Sequence, residues 1–451
     1  MVALTRPYLG HFVLAVLAML IVAAVNVTLP YVLGKQVLGT LISRGDLARL
    51  NALAILIVGM VLVKGVFFYL QQYQSNFVGQ RVVVDLRNRL YDHLQRQSLA
   101  FHQRWRSGDI VSRVTNDVGL IQNSLTDGIV DVAQQGITLL GVVGFLLYLN
   151  PTLSAITFVV FVLTGVAINY TGARVRRLAG AIQARMADVT HTLQETLAGI
   201  RIVKAFTMER TIVQRFRKEN ERSFDAAMHT VRVSGALSPS VDFLVALGMV
   251  IVVWVGGREV LMGRFSPDSF ITFLLFLGMA VQPIGTLTRT YGLLQRALGG
   301  ADRIFQLLDE QIDVADRPGA PPIGAVRGEV RFEDVSFAYA GEDYVLTDID
   351  LAVPPGEVVA IVGSSGAGKS TLVNLIPRFF DPDRGRVAID GVDIRTVQIA
   401  SLRRQIGLVP QETILFGVSV AENIGYGNPE ASRAAIERAA VAANADTFIR
   451  A

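Results

Sequence analysis

The stretch Gly363-Ser364-Ser365-Gly366-Ala367-Gly368-Lys369-Ser370-Thr371 decides how the rest of the chain is read. It is a complete G-x4-G-K-S pattern. Its glycines let backbone N–H groups close around phosphates, Lys369 reaches the outer phosphates as a point charge, and the Ser370 hydroxyl is placed to ligate Mg2+. The flanks agree: an apolar run, Val358–Val362, reads as a strand leading in, and a helix is predicted from Lys369 to Phe380, offering its N-terminus to the anion. Only five of the 451 residues are lysine, so a chance match is on the order of 0.4%. The alternative is a purely structural glycine-rich turn. A nucleotide with Mg2+ is the ligand pair that this loop predicts.

Working outward, the composition is unlike that of a soluble enzyme. Hydrophobic residues make up 51% and charged residues 18% of the chain, against roughly a quarter charged in soluble domains. The apolar runs fill the first 290 positions, whereas the region after Gly328 alternates as soluble strands: Val330 to Phe337, Val345 to Val353, Val358 to Val362 and Arg386 to Ile389. Val387-Ala-Ile-Asp390 is followed by Gly391 and reads as a hairpin strand. Asp316-Arg-Pro-Gly-Ala-Pro-Pro-Ile-Gly324 has the proline and glycine density of a linker. The expected organisation is a membrane domain at 1–310, a linker at 311–326 and the front part of a nucleotide-binding domain at 327–451. Cysteine is absent, which excludes disulfides, thiolate metal sites and a cysteine nucleophile.

Six stretches are long and apolar enough to span a bilayer, roughly 11–36, 51–73, 128–149, 152–171, 238–261 and 268–290. The first run, His11 to Leu33, exceeds a signal-peptide core and no small-residue cleavage site follows it. Asn150-Pro151 makes the tight turn between spans three and four; Gln282 and Pro283 interrupt the sixth. The loops after spans two and four carry nineteen Arg and Lys, from Arg81 to Arg113 and from Arg174 to Arg232, against Arg44, Arg49, Arg258 and Arg264 on the other side. That bias places both long loops and both termini in the cytoplasm. It also accounts for the net charge of +4 without a nucleic-acid partner. Val82, Leu86, Leu90 and Leu94, and likewise Val189, Leu193 and Leu197, recur at helical spacing, so the spans are expected to continue as stalks. Lys64, midway through span two, is either a cation lining a translocation cavity, favouring substrates with an anionic group, or a lysine snorkelling to an interface. Asp242 is a weaker candidate.

The whole chain resembles the half-transporters of the ATP-binding cassette exporter family, membrane domain first. The resemblance implies a mixed fold: an all-α six-helix transmembrane domain followed by an incomplete α/β P-loop NTPase domain. By the same resemblance, Tyr339 in Val335-Ser-Phe-Ala-Tyr339 stacks on adenine, or is otherwise a buried strand tyrosine. Gln411 in Gly407-Leu-Val-Pro-Gln411 approaches Mg2+ and the attacking water, or is otherwise a polar strand cap. Leu415-Phe416 and Glu422-Asn423-Ile424 match downstream. Phe101 through Gly108-Asp109 to Arg113, Asn116 and Asp117 resembles the first coupling segment, and Gly199 to Phe206, Glu209 and Phe216 the approach to the second; for Arg113, Asn116 and Asp117 a solvated helix cap is the other reading. The family implies a homo- or heterodimer in a bacterial-type plasma membrane. ATP binding closes the nucleotide domains, the cavity opens outwards, hydrolysis resets it, and amphipathic lipids, drugs or peptides are exported.

The family pattern also includes a Leu-Ser-Gly-Gly-Gln signature, an apolar strand ending in Asp-Glu, and a switch histidine, and none of these follows Gln411. The expectation is a fragment of a longer product that binds ATP weakly and does not hydrolyse it. The rival readings are a non-catalytic ATP-sensing membrane regulator or channel, and an importer permease fused to an ATPase.

Overall fold

The computed structural model describes residues 6–38, 47–339, 343–411 and 413–451, excepting the side chains of 127, 167–177, 236–238 and 240–242. Asp242 and Arg44 therefore lie outside the description. The chain divides into two compact units, residues 1–82 with 120–298, and residues 83–119 with 299–451.

Helices dominate the first 310 residues. They are α1 (Leu9–Tyr31), extended by a π-helical stretch over Val32–Leu38; α2 (Leu47–Arg96); the short α3 (Leu99–Arg104) and α4 (Ser107–Ser112); a π-turn at Arg113–Asp117; α5 (Val118–Asn123); a second π-turn at Ser124–Gly128; α6 (Ile129–Leu149); α7 (Pro151–Ala198); α8 (Ile200–Ala205); α9 (Glu209–Leu261); and α10 (Pro267–Leu308). Among the described residues five helical runs are long and apolar enough to cross a membrane: Arg6–Val37, Leu47–Arg96, Ser107–Leu149, Phe243–Leu261 and Pro267–Leu308. The remaining span of the sequence reading appears there as the apolar start, Pro151–Val166, of the 48-residue α7. Asn150 makes the turn before it: its side chain accepts from the Leu153 N–H, and Pro151 occupies the first turn, where its missing donor is harmless.

Within the first unit small residues set the helix spacing. A Cβ on Gly79 would lie 2.2 Å from the Thr126 methyl, one on Gly248 2.3 Å from Val160, and one on Gly256 2.3 Å from the Phe270 ring. This is how packing, rather than a hydrophobic driving force, joins helices in lipid. Gln71 donates to Gln134 at 2.6 Å along the same seam. Val142, Leu146, Leu153, Val252, Phe273 and Phe276 form the core, with Phe145 stacked on Phe276 at 5.1 Å. Pro30 and Pro283 sit inside α1 and α10 without ending them.

In the second unit, β1 (Val330–Phe337), β2 (Leu346–Val353), β3 (Arg384–Ile389) and β4 (Val392–Asp393) form one antiparallel sheet of order β2-β1-β3-β4. Asp390 and Gly391, at φ 50° and 80°, close β3 onto β4 with Ile389 opposite Val392, as a type I′ hairpin demands. Helices α11 (Lys369–Leu375), α12 (Ile399–Arg403), α13 (Val420–Gly425), α14 (Arg433–Ala442) and α15 (Asp446–Arg450) complete the unit. Phe332, Val335, Phe337, Leu375, Val387, Ile394 and Leu402 are its core, and Leu99 and Ala100 of α3 pack on it. The proline-rich segment is docked rather than free: Gln398 N–H bonds Pro321 C=O and Ile323 N–H bonds the Ser401 hydroxyl.

Two expectations need correction. Val358–Val362 forms no strand, and Val358 and Val362 are 96% and 87% exposed; a parallel strand requires neighbours, and no described segment supplies one. The helix after the phosphate loop ends at Leu375, not Phe380: Pro377 has no N–H to continue the ladder, and Arg378 turns the chain away at φ 52°. In the first stalk Val82, Leu86, Leu90 and Leu94 are all buried. In the second only Val189 is, while Leu193 and Leu197 are 47% and 60% exposed, since periodicity marks a face and not its partner.

Candidate nucleotide site

The phosphate loop runs from Gly363 into α11. Gly366 and Gly368 take φ of 85° and 80°, in the left-handed region where a side chain is strained. A Cβ on Gly368 would also lie 2.8 Å from Leu346 Cδ2 and 3.1 Å from the Val345 carbonyl. The loop is thus pressed against the start of β2, and only glycine permits it. Ala367 N–H bonds the Ser364 carbonyl at 3.2 Å, so Ser364-Ser365-Gly366-Ala367 is a closed turn. The Lys369 ammonium folds back into it, donating to the carbonyls of Gly363 at 3.0 Å and Ser364 at 2.6 Å. Carbonyl oxygens hold a cation where phosphate oxygens would bind it more strongly, through charge-assisted bonds. With α11 only seven residues long, its dipole alone would give a bound anion limited stabilisation.

Lys369 and Ser370 open on a cleft of about 540 Å3, also lined by Val359, Ile361, Val373, Asn374, Leu408, Val409, Pro410 and Gln411. The structure thus brings Gln411 to the loop across more than forty residues of sequence. Ser370 and Gln411 are neutral, hard oxygen donors, the kind Mg2+ accepts while keeping waters and phosphate oxygens. Among the described residues no group of three or more His, Cys, Asp or Glu could hold a metal. The donor set therefore fits an ion that arrives with its nucleotide. Sequence reading missed Asn374, although Ser370 and Asn374 share a helical face at i,i+4.

Thr371 and Tyr339 lie apart from that cleft's lining. Thr371 is buried, and its hydroxyl meets the Tyr339 hydroxyl at 2.9 Å. The half-buried Tyr339 ring is edge-on to Phe337 at 5.0 Å and to Phe380 at 5.4 Å. Strand β1 therefore places Tyr339 beside the loop, tied to it by one hydrogen bond.

In the loop segments, Asn116 bonds Ser112, whereas Asp117 is paired with Arg303, which sequence reading did not single out. Nothing local marks Arg303: it is one arginine on an amphipathic stretch 186 residues away. Lys204 pairs with Glu209 at 2.9 Å, which holds the Glu209 carboxyl below its ordinary range. Lys64 is half-buried on α2.

The model of the ABC transporter transmembrane region matches residues 12–284, and that of the ABC transporter domain matches residues 346–450. The chain belongs to the ABC transporter family. An ATP-dependent lipid A-core flippase of Syntrophus aciditrophicus is 40% identical over 99% of this transporter and 74% of the relative. One of Desulfotalea psychrophila is 36% identical over 98% and 77%. A putative multidrug export ATP-binding/permease protein of Bacillus subtilis is 32% identical over 98% and 78%. The transporter is a multi-pass membrane protein of the exporter type, with the several apolar helices of its membrane half joined to an ATP-binding half.

Proposed function

We propose that this ABC exporter moves an amphipathic lipid across the bacterial inner membrane, as a dimer of half-transporters with both termini and the nucleotide domain in the cytoplasm. The observation that carries the reading is the phosphate loop, with Lys369 and Ser370 opening on the cleft that also holds Gln411. Lys369 and the loop amides would bind the phosphates, Ser370 and Gln411 would hold Mg2+, and Gln411 would also serve the attacking water. Mg2+ supplies charge neutralisation on the phosphates when bound. Tyr339 supports the adenine ring. The lipid class is favoured over drug or peptide by the two flippase relatives. Lys64, at mid-span on α2, supports a substrate with an anionic group: a cation there is costly unless it faces a cavity or a partner.

The reading is tested with the gene product carrying these residues, reconstituted in vesicles containing a fluorescent phosphorylated glycolipid. Leaflet exchange that needs Mg·ATP, fails in Lys369→Ala and weakens for anionic but not zwitterionic lipid in Lys64→Ala supports it. Exchange indifferent to nucleotide overturns it.

A further inference from the structure

The Arg113–Asp117 π-turn and the last turns of α10 are joined by a clamp that the nucleotide site does not explain. Arg303 grips Asp117 with two parallel bonds, Nε donating to Oδ2 at 2.9 Å and Nη2 to Oδ1, the bidentate geometry that fixes orientation as well as distance. Asp117 is 7% exposed, while the Arg303 side chain is 48% exposed. Arg113 Nη1 donates to the Arg303 carbonyl at 2.7 Å, and its guanidinium lies 4.3 Å from the Trp105 ring centre. Gly300, one turn before Arg303, lies against the same turn: a Cβ there would meet the Asp117 carbonyl oxygen at 3.4 Å, an ordinary contact. The Arg303 pKa is raised by the Asp117 hydrogen bond.

Two chain routes lead from the membrane-spanning helices to the nucleotide domain. One is the segment α3–α5, whose Leu99 and Ala100 pack on that domain's core. The other is α10, which continues through Leu308 into the proline-rich segment and β1. The clamp ties the first to the second. We infer that Asp117 and Arg303 are positioning residues for coupling, binding the two routes into one joint so that displacement of the nucleotide domain moves α6 and α10 together. The inference rests on the ATP-driven export reading.

The burial asymmetry makes it testable. Asp117→Asn leaves Arg303 free to be hydrated, whereas Arg303→Gln strands a buried carboxylate and lowers the melting temperature. Asp117→Asn combined with Arg303→Gln removes the stranded charge and recovers much of that loss. These residues contain no cysteine, so Leu140→Cys, 74% exposed on α6, takes the spin label in the reconstituted gene product once any cysteine elsewhere in it is replaced by serine. The wild type is expected to change its label spectrum on adding Mg·ATP. Asp117→Asn and the double variant bind ATP within about two-fold of wild type but lose at least about five-fold of the label response, and Arg303→Lys keeps part of it. A response that returns with stability in the double variant, or that survives in Asp117→Asn, shows a merely structural ion pair and overturns the clamp alone. A wild type that binds no ATP, or whose label ignores it, overturns the clamp and the export reading together.

Discussion

At the scale of single residues, the phosphate loop owes its shape to two glycines and its charge to one lysine. Lys369→Ala removes the one ammonium held by the loop carbonyls, so nucleotide affinity should fall about 10- to 100-fold, the worth of a charge-assisted bond, as calorimetric titration would show. Tyr339→Phe keeps the ring against Phe337 and Phe380 and loses only the bond to Thr371; it should cost about 1 kcal/mol of stability and leave ATP affinity intact. Tyr339→Ala should weaken ATP but not inorganic tripolyphosphate if the ring supports adenine; equal weakening of both would remove that role. Asp390 is held below the usual carboxylate range first by the Glu329 N–H. A lowered folded pKa means stability that is full above the ordinary carboxylate value and lost as pH falls through the lowered one. Amide protection of the β3–β4 hairpin should therefore decline below about pH 4, and Asp390→Asn, which tolerates the same φ, should flatten that dependence.

At the scale of elements, what was legible followed from local chemistry. The spans, the Asn150-Pro151 turn and the Asp390-Gly391 hairpin were readable because apolar length and turn residues act within a few positions. Val358–Val362 was misread as a formed strand because a strand exists only through its neighbours, and the Pro377 stop was overlooked inside an otherwise helical run. The loop residues could be named in the sequence, but the approach of Gln411 to Lys369 and Ser370, and of Arg303 to Asp117, joins distant segments that no periodicity connects. The two stalk stripes differ in the same way. Leu90→Ala, at a fully buried position, should cost about 2–5 kcal/mol in denaturant unfolding, whereas Leu193→Ala, half exposed on α7, should stay within about 0.5 kcal/mol. Comparable losses at both would mean that the second stripe is covered.

At the scale of the whole molecule, an apolar helical half and a phosphate-binding half lie on one chain, and membership of the ABC transporter family accounts for both. The central claim is that the loop at Gly363–Thr371 is the nucleotide site that serves the membrane half. The most direct measurement is binding of a fluorescent ATP analogue to the 451-residue protein in lipid nanodiscs, with and without Mg2+, in wild type and Lys369→Ala. Saturable binding that Mg2+ strengthens and Lys369→Ala weakens by about 10- to 100-fold is the predicted result. Binding unchanged in Lys369→Ala, or a wild type that binds no nucleotide, would contradict the account.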